Sequence, residues 1–198
     1  MEKKIVMQES CKQRFFPVVE MIKELQEGER DCILIGIDGM SASGKSTLGF
    51  YLKELFDCNL FHMDDFFLQP HQRTEKRLAE IGGNVDYERF RKEVLDPVLR
   101  KETVIYRPFR CDIMEIKDEI EMPFKRLNII EGSYCLHPYF GGVHTLRVFT
   151  EIPKELQIER IRKRNGEEML ERFVTEWIPK ENAYFETFKT KIISDFVL

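Results

Sequence analysis

The chain has 198 residues, of which 42% are hydrophobic and 33% are charged, a composition typical of a globular domain and not of a disordered segment. The 31 Lys and Arg are scattered and stand against 35 Asp and Glu, which argues against a general nucleic-acid or membrane-surface binder. We expect a single domain over residues 1–198 that acts on a small molecule, with no nucleic-acid or membrane partner. A homo-oligomer stays open.

The five cysteines have no CxxC spacing, so neither a disulfide framework nor a zinc site is expected. No run approaches the roughly 18 apolar residues of a membrane span, and the first residues lack a small-residue cleavage site. These features favour a cytoplasmic protein.

Helices and strands are predicted to alternate along the chain. An amphipathic helix is expected over about 15–27, within an N-terminal helical extension of residues 1–30. A buried strand at 32–37, a helix at 45–56 and a strand at 59–63 follow as a βαβ unit. A polar loop covers 69–84, and Asp86 caps a helix that Pro97 kinks or ends before about 99. The remaining predicted elements are strands at 103–109, 112–120, 127–130 and 146–150, helices at 154–164 and 175–189, and a strand at 192–197.

The segment GMSASGKS, from Gly39 to Ser46, satisfies G-x-x-x-x-G-K-[ST] between a predicted strand and a predicted helix. Glycines let successive N–H groups face an anion, Lys45 reaches the β- and γ-phosphates, and the Ser46 hydroxyl binds Mg²⁺. A nucleoside triphosphate and Mg²⁺ are therefore the expected cofactors; ATP is the one expected of a kinase, and the choice between ATP and GTP stays open. The candidate nucleotide-binding residues are Gly39, Ser41, Ala42, Ser43, Gly44, Lys45, Ser46 and Thr47. With this motif, the predicted fold is a P-loop NTPase-type α/β three-layer sandwich, in which helices flank a mostly parallel sheet.

Two predicted strands end in acids. Asp64 and Asp65 come just past the second strand, where open α/β sheets bind ligands. A carboxylate at this position could accept a hydroxyl proton or hold magnesium waters. The alternative is that it only caps the next turn. In an extended segment the two would point to opposite sides, so only one of them is expected to face the phosphate loop. We take this to be Asp64, which comes directly after the strand, and expect Asp65 to cap the following turn. Glu131 ends another apolar strand, a position suited to a magnesium ligand as well as to a surface residue.

The order of four segments resembles the uridine kinase and phosphoribulokinase branch of phosphate-loop kinases, over roughly residues 31 to 198. These segments are 39–47, Met63-Asp64-Asp65-Phe66-Phe67, Asn84-Val85-Asp86 and Ile130-Glu131-Gly132. The resemblance implies that Asp64 is the base near the acceptor hydroxyl, that Asp86 binds ribose hydroxyls and that Glu131 helps to organise magnesium. Phe67 is a candidate for lining the acceptor pocket.

The segment RIRKRN, at residues 160–165, looks like the lid helix of that branch, whose arginines reach the transferring phosphates. Arg160 and Arg164 are four positions apart and so share a helix face, which suits convergence on a polyanion. The lid is expected over about 160–175, but it lacks the R-G-R element of the branch, which makes Arg172 a candidate replacement. Uridine kinases have a Y-D-F segment followed by a His that recognises the base. This chain has Tyr106-Arg107-Pro108-Phe109 at that place and no His, so Tyr106 is a candidate contact of the acceptor.

These features predict an ATP-dependent kinase that transfers the γ-phosphoryl group to a hydroxyl of a small molecule, with a nucleoside such as uridine as the leading acceptor. Catalytic roles are expected for Lys45, Asp64, Arg160 and Arg164, and metal binding for Ser46, Asp64 and Glu131. Two alternatives stay open. One is a kinase of the same kind for pantothenate, nicotinamide riboside or a sugar, and the other is a nucleotide-binding regulator without catalysis.

Overall fold

Helices and strands alternate in the computed structural model, which describes residues 9–198. In chain order they are α1 (Glu9–Glu27), β1 (Ile33–Gly39), α2 (Lys45–Leu55), β2 (Cys58–His62), α3 (Glu75–Leu78), α4 (Tyr87–Phe90), α5 (Asp96–Leu99), β3 (Val104–Tyr106), β4 (Phe109–Arg110), β5 (Glu115–Ile116), β6 (Ile120–Met122), β7 (Leu127–Glu131), β8 (Leu146–Thr150), α6 (Lys154–Arg172), α7 (Ile178–Phe188), α8 (Thr190–Ile193) and β9 (Phe196–Val197). The predicted N-terminal helical extension begins outside the described residues and, within them, is α1.

Within residues 9–198, five parallel strands form the central sheet in the order β2-β7-β1-β8-β9. The predicted α/β fold with a mostly parallel sheet is confirmed. Strand β7 lies between β1 and β2, and Glu131 at its end is in register with Ile37 on one side and His62 on the other. The carboxyl ends of these three strands therefore meet at one edge of the sheet.

Alternate side chains of β1 pack on opposite faces of the sheet, as the two-residue period of a strand requires. Ile33, Ile35 and Ile37 pack with apolar residues of α1 and α2. Leu34 packs on the other face, in a cluster with the helical segment 87–99 and with Tyr184 of α7. Each such buried aliphatic side chain stabilises the fold by about 1.5–3 kcal/mol, so the two layers together hold the sheet between its helices.

The helical segment after Asp86 differs from the prediction at Pro97. The Asp86 side chain caps α4 as expected, by accepting from the Arg89 N–H (3.0 Å). The chain then passes through a wider π-helical turn, Arg91–Leu95, and continues through Pro97 to the end of α5. Pro97 has no N–H, so the ordinary helical hydrogen bond from this position is missing. The wider π-helical turn comes directly before it.

The predicted strands at 103–109 and 112–120 are too long. The first divides into β3 and β4 at Arg107-Pro108, and the second leaves only the two short strands β5 and β6, with a turn before β5. β3 pairs with β6 and β4 with β5 as two small antiparallel sheets. Proline cannot donate to a strand ladder, which explains the break.

Four other predicted boundaries also change. The loop 69–84 contains the 3₁₀ turn Pro70–Gln72 and helix α3. The helix predicted to end at 164 runs to Arg172 across an interruption at Gly166, whose φ of 82° is non-helical. The helix predicted at 175–189 begins as the π-helical turn Phe173–Trp177 and ends at Phe188. Residues 192 and 193 belong to α8, so the closing strand is only Phe196–Val197.

Among residues 9–198, no helix combines the length and the apolar composition that crossing a lipid bilayer requires.

His144 makes the stability of this fold sensitive to acid. Its ring packs below Gly36, and its Nε2 is buried without a hydrogen-bond partner among the described residues. Burial, with a smaller effect of the Arg147 charge, lowers the pKa of His144 to about 4. The unfolded chain binds this proton below about pH 6.5, whereas the folded chain does not until about pH 4, so stability falls as the pH is lowered through that window.

We expect His144 to account for roughly 3 kcal/mol of the loss in unfolding free energy between pH 6.5 and pH 4. Urea denaturation across this range should show a smaller loss in His144→Gln than in the unmodified protein. His71→Gln, at an exposed position, is the control and should leave the pH dependence unchanged. An identical pH dependence in His144→Gln would contradict this role.

Candidate active site

The phosphate loop, Met40–Gly44, turns sharply between β1 and α2. Gly39, just before it, has a φ of 136°, and a Cβ at this position would lie 2.1 Å from the Thr150 carbonyl oxygen. Gly44, just before α2, has a φ of 106°. Only glycine tolerates both the backbone conformation and the close approach at position 39, so the first glycine of the motif lets the loop leave the sheet beside β8.

Four side chains from α1, α2 and α6 bind the carbonyl oxygens of Gly39 and the phosphate loop. The contacts are Lys45 Nζ to Gly39 O (2.8 Å) and Met40 O (2.9 Å), Gln157 Nε2 to Ser41 O (3.0 Å), an Arg160 guanidinium nitrogen to Ala42 O (3.1 Å) and an Arg14 guanidinium nitrogen to Ser43 O (3.3 Å). In a peptide unit the C=O and the N–H point in opposite directions. Of the N–H groups in these peptide units, those of Met40, Ser41 and Ser43 donate to Thr150 O, Glu181 and Met40 O, so the amides of Ala42 and Gly44 are the ones available to a bound anion.

A carboxylate from α7 binds the same loop. Glu181 is 6% exposed and accepts from the Ser41 N–H (3.0 Å), the Ser41 hydroxyl (2.6 Å) and the Ser133 hydroxyl (2.7 Å). Charge-assisted hydrogen bonds of this kind are about twice as strong as neutral ones. The contact fixes the loop to α7 and to the turn after β7.

A second buried acid, Asp38, ends the apolar run of β1 and faces the same helix. Its carboxylate is 0% exposed and accepts from the Tyr184 hydroxyl (2.8 Å), the Gly39 N–H (2.7 Å) and the Leu136 N–H (3.1 Å). Burial raises the pKa of Asp38 to about 6, although these bonds and the Lys45 charge oppose the rise. Tyr184 and Glu181 are three positions apart on α7, so one helix face carries both contacts.

Glu131 links the start of α2 to β2. The Ser46 hydroxyl donates to Glu131 Oε2 (3.1 Å), and His62 Nδ1 lies 2.5 Å from Glu131 Oε1. Burial lowers the pKa of His62, but the hydrogen bond and the charge of Glu131 outweigh it, so that this pKa is raised above its ordinary value. Glu131 is only 5% exposed, and it has one hydrogen-bond partner on α2 and one on β2.

Asp64 and Asp65 lie on a 3₁₀ turn, Met63–Phe66, and not on the extended segment that the sequence suggested. The Asp64 side chain is exposed to solvent. Desolvation by the surrounding protein atoms, together with the Glu131 charge, raises the pKa of Asp64 to about 6. The expected cap by Asp65 is wrong, because the turn has no side-chain cap and Asp65 Oδ2 accepts from the Tyr106 hydroxyl (3.3 Å). The two acids nevertheless have different surroundings.

The candidate acceptor residues lie beside this turn. The Asp86 N–H donates to the Phe66 carbonyl oxygen (2.7 Å), and Phe67 bridges to Val85 in antiparallel fashion. Asp86 Oδ2 accepts from Gln72 Nε2 (2.7 Å), and both residues line a cavity of about 290 Å³ with Leu68, Arg77 and Glu88. Tyr106 is buried at 4% exposure and stacks on Phe66, so only its hydroxyl is directed towards the acids.

The three lid arginines have different contacts. Arg160 lies against the phosphate loop, as described above. Arg164 Nε donates to Asn165 Oδ1 (2.7 Å), and its guanidinium lies 5.9 Å from the centre of the Phe173 ring. Arg172 pairs with Glu176 (3.7 Å) and lies over the Trp177 ring at 4.9 Å. Of the three, Arg160 alone contacts the loop, while the contacts of Arg172 are within the C-terminal part of the lid.

Hard oxygen ligands for Mg²⁺ are present at the start of α2. Mg²⁺ is usually held by one or two protein oxygens together with waters and substrate phosphates, and not by an all-protein cage. In the part of the chain that the structure describes, no group of three or more His, Cys, Asp or Glu side chains could hold a metal. The adjoining Ser46 hydroxyl and Glu131 carboxylate, with Asp64 nearby, fit a nucleotide-bound Mg²⁺.

Sequence reasoning missed Asp38, Glu181, Tyr184, Gln157 and Arg14. Asp38 could have been recognised from the sequence, because an acid within a strand that is buried on both faces needs a hydrogen-bond partner. The others lie at least 25 positions from the motif or on ordinary amphipathic helices, where nothing local marks them.

Known kinases resemble the chain in sequence and in fold. No protein-family model matches the chain. The chain is 26% identical over 146 residues to a dephospho-CoA kinase of Prochlorococcus marinus subsp. pastoris, covering 66% of this chain and 72% of that protein. A possible uridine kinase from Bacillus stearothermophilus superposes with a TM-score of 0.73 at 18% identity, covering 96% of this chain and 99% of that one.

A protein assigned as a fructose transport system kinase from Silicibacter sp. TM1040 gives a TM-score of 0.70 at 18% identity, covering 91% of this chain and 98% of that one. The chain has the fold of the phosphate-loop kinases. The expected likeness to the uridine kinase branch is confirmed at the level of the fold.

We expect Glu181→Ala to lower the free energy of unfolding by about 2–3 kcal/mol, because it leaves the half-buried Ser41 N–H and two hydroxyls without their partner. Lys180→Ala is the matched control on the same helix, since it removes only the Lys180–Glu176 surface pair (2.8 Å) and should cost less than about 1 kcal/mol. Urea denaturation measures both, and equal costs would contradict the anchoring role of Glu181.

Proposed function

We propose that the protein is an ATP- and Mg²⁺-dependent kinase that transfers the γ-phosphoryl group to a hydroxyl of a small molecule, with a nucleoside as the leading acceptor. The proposal depends on one observation above all. The phosphate loop follows β1, Glu131 is the last residue of β7 and Asp64 comes just after β2, and these are three neighbouring parallel strands. A nucleotide on the loop would therefore direct its terminal phosphate towards an available carboxylate.

Asp64 is the proposed base. A general base works best when its pKa lies near the working pH, and a pKa of about 6 satisfies this. The hydroxyl oxygen would attack the γ-phosphorus in line while Asp64 accepts the hydroxyl proton. Asp65 is less suited to this role, because its carboxylate accepts from the Tyr106 hydroxyl.

Positive charge from two elements would offset the charge of the transferring group. Lys45 comes from α2, and Arg160 and Arg164 come from one face of α6. Mg²⁺ held by Ser46 and Glu131 would neutralise part of the phosphate charge when it is bound. The catalysis proposed for these residues is thus positioning and electrostatic stabilisation, as expected for phosphoryl transfer.

The cavity beside Asp86 supports a polyhydroxylated acceptor. Asp86 is 4% exposed, and its two oxygens already accept from the Arg89 N–H and from Gln72 Nε2, but each carboxylate oxygen can accept more than one hydrogen bond. A vicinal diol of ribose would give Asp86 two further donors. The volume of about 290 Å³ lies just below the usual range for a small-molecule site, and the cavity is open to solvent, so it could hold part of an acceptor, such as a sugar, and not a large ligand.

Replacing each acid with its near-isostere tests the assignment of the base. Asp64→Asn should lower kcat by roughly 10²–10⁴-fold with little change in the Kd for ATP, because asparagine cannot accept the proton. Asp65→Asn is the matched control and should cost much less. Steady-state kinetics and ATP titration measure both.

If Asp65→Asn is the inactive variant, the base is Asp65. If neither variant loses activity, this turn is not catalytic.

The acceptor is tested by ADP release over a panel of ribonucleosides, their 2′-deoxy analogues, pantothenate, simple sugars and dephospho-CoA. We expect ribonucleosides to be used and 2′-deoxyribonucleosides to be used at least about tenfold less well, since a site built for a hydroxyl discriminates against its absence.

Asp86→Ser keeps a helix-capping residue but should raise the KM for a ribonucleoside at least about tenfold while that for ATP stays unchanged. Equal use of ribo- and deoxyribonucleosides by the unmodified protein would exclude this role of Asp86.

A further inference from the structure

Arg14 on α1 reaches the phosphate loop from outside the motif. Its two terminal guanidinium nitrogens donate to the Ser43 carbonyl oxygen (3.3 Å) and to the Glu151 carbonyl oxygen (2.9 Å). The helix that carries it is held by the core, since Val18 and Ile22 are fully buried and the Phe15 ring packs 6.2 Å from that of Tyr51 on α2. Arg14 is therefore delivered to the loop by a fixed helix.

Arg14 lies on the side of the loop opposite to Asp64. Glu151 directly follows β8, whereas Asp64 follows β2, and the sheet order β2-β7-β1-β8 puts these ends on opposite sides of β1. A nucleotide whose phosphates lie on the loop with the terminal phosphate towards Asp64 must extend its nucleoside end the other way. That direction leads to the carboxyl end of β8 and to Arg14.

A second arginine lies next to Arg14. Arg160 donates to the Ala42 carbonyl oxygen, one residue before the carbonyl that Arg14 binds. Burial lowers the pKa of Arg14, and the Arg160 charge lowers it further, so the two cations are close. The Glu151 carboxylate pairs instead with Lys191 (2.6 Å). Guanidinium groups are planar and weakly hydrated, and they stack readily on aromatic rings, which suits them to a nucleobase.

We propose that Arg14 of the N-terminal helix is a nucleotide-binding residue that packs its guanidinium group against the nucleoside end of the bound nucleotide. The inference rests on the nucleotide binding in the proposed function and adds a contact from a helix that precedes the phosphate-loop unit. Inorganic tripolyphosphate carries the charges of the ATP phosphates but no nucleoside, so it separates the two parts of the ligand.

Calorimetric titration of the full chain with Mg²⁺ and either ATP or tripolyphosphate tests the proposal. We expect Arg14→Gln to raise the Kd for ATP about tenfold and that for tripolyphosphate less than about twofold. Arg126→Gln is the matched control, because Arg126 ties the other end of the same helix to the fold by donating to the carbonyl oxygens of Gln26, Gly28 and Arg30. It should change neither Kd.

An unchanged Kd for ATP in Arg14→Gln would overturn the proposal. An equal rise for both ligands would also overturn it, because Arg14 would then act on the loop or its phosphates. The same ATP-selective loss in Arg126→Gln would reduce Arg14 to a helix anchor. If the unmodified protein binds neither ligand, the proposed function itself fails and the role of Arg14 fails with it.

Discussion

A backbone that turns its N–H groups towards an anion must find partners for the carbonyl oxygens that it turns away. In this chain those partners come from α1, α2 and α6, in the form of Arg14, Lys45, Gln157 and Arg160. The loop is thus oriented by helices that are widely separated in the sequence. The position of each helix, and so the packing of the whole domain, is coupled to the conformation of the loop.

Two buried acids, Asp38 and Glu181, connect the end of β1 and the phosphate loop to α7. Asp38 and Glu181 would be costly in an apolar interior on their own, yet each accepts several hydrogen bonds that also fix a neighbouring element. Because Tyr184 and Glu181 share one face of α7, this helix contacts both the end of β1 and the loop. The acids therefore serve positioning as well as stability.

The local parts of the site could be predicted from the sequence, and the parts that depend on distant contacts could not. The motif from Gly39 to Ser46 lies between a strand and a helix as predicted, and Glu131 ends β7, because strand ends and phosphate loops have short-range signals. The turn at Asp64 was missed, since its 3₁₀ form depends on how Phe66 packs against Phe90 and Tyr106. Glu181 is 140 positions from Ser41, and no local pattern reports such a pair.

The central claim is that this geometry transfers a phosphoryl group to an organic hydroxyl. The most direct measurement is ³¹P NMR of the purified protein with Mg²⁺, ATP and pooled small-molecule alcohols that include ribonucleosides. The account predicts a new phosphomonoester signal that grows in equal amount with ADP and depends on the added alcohols. Unchanged ATP, or ADP accompanied only by inorganic phosphate, would contradict it.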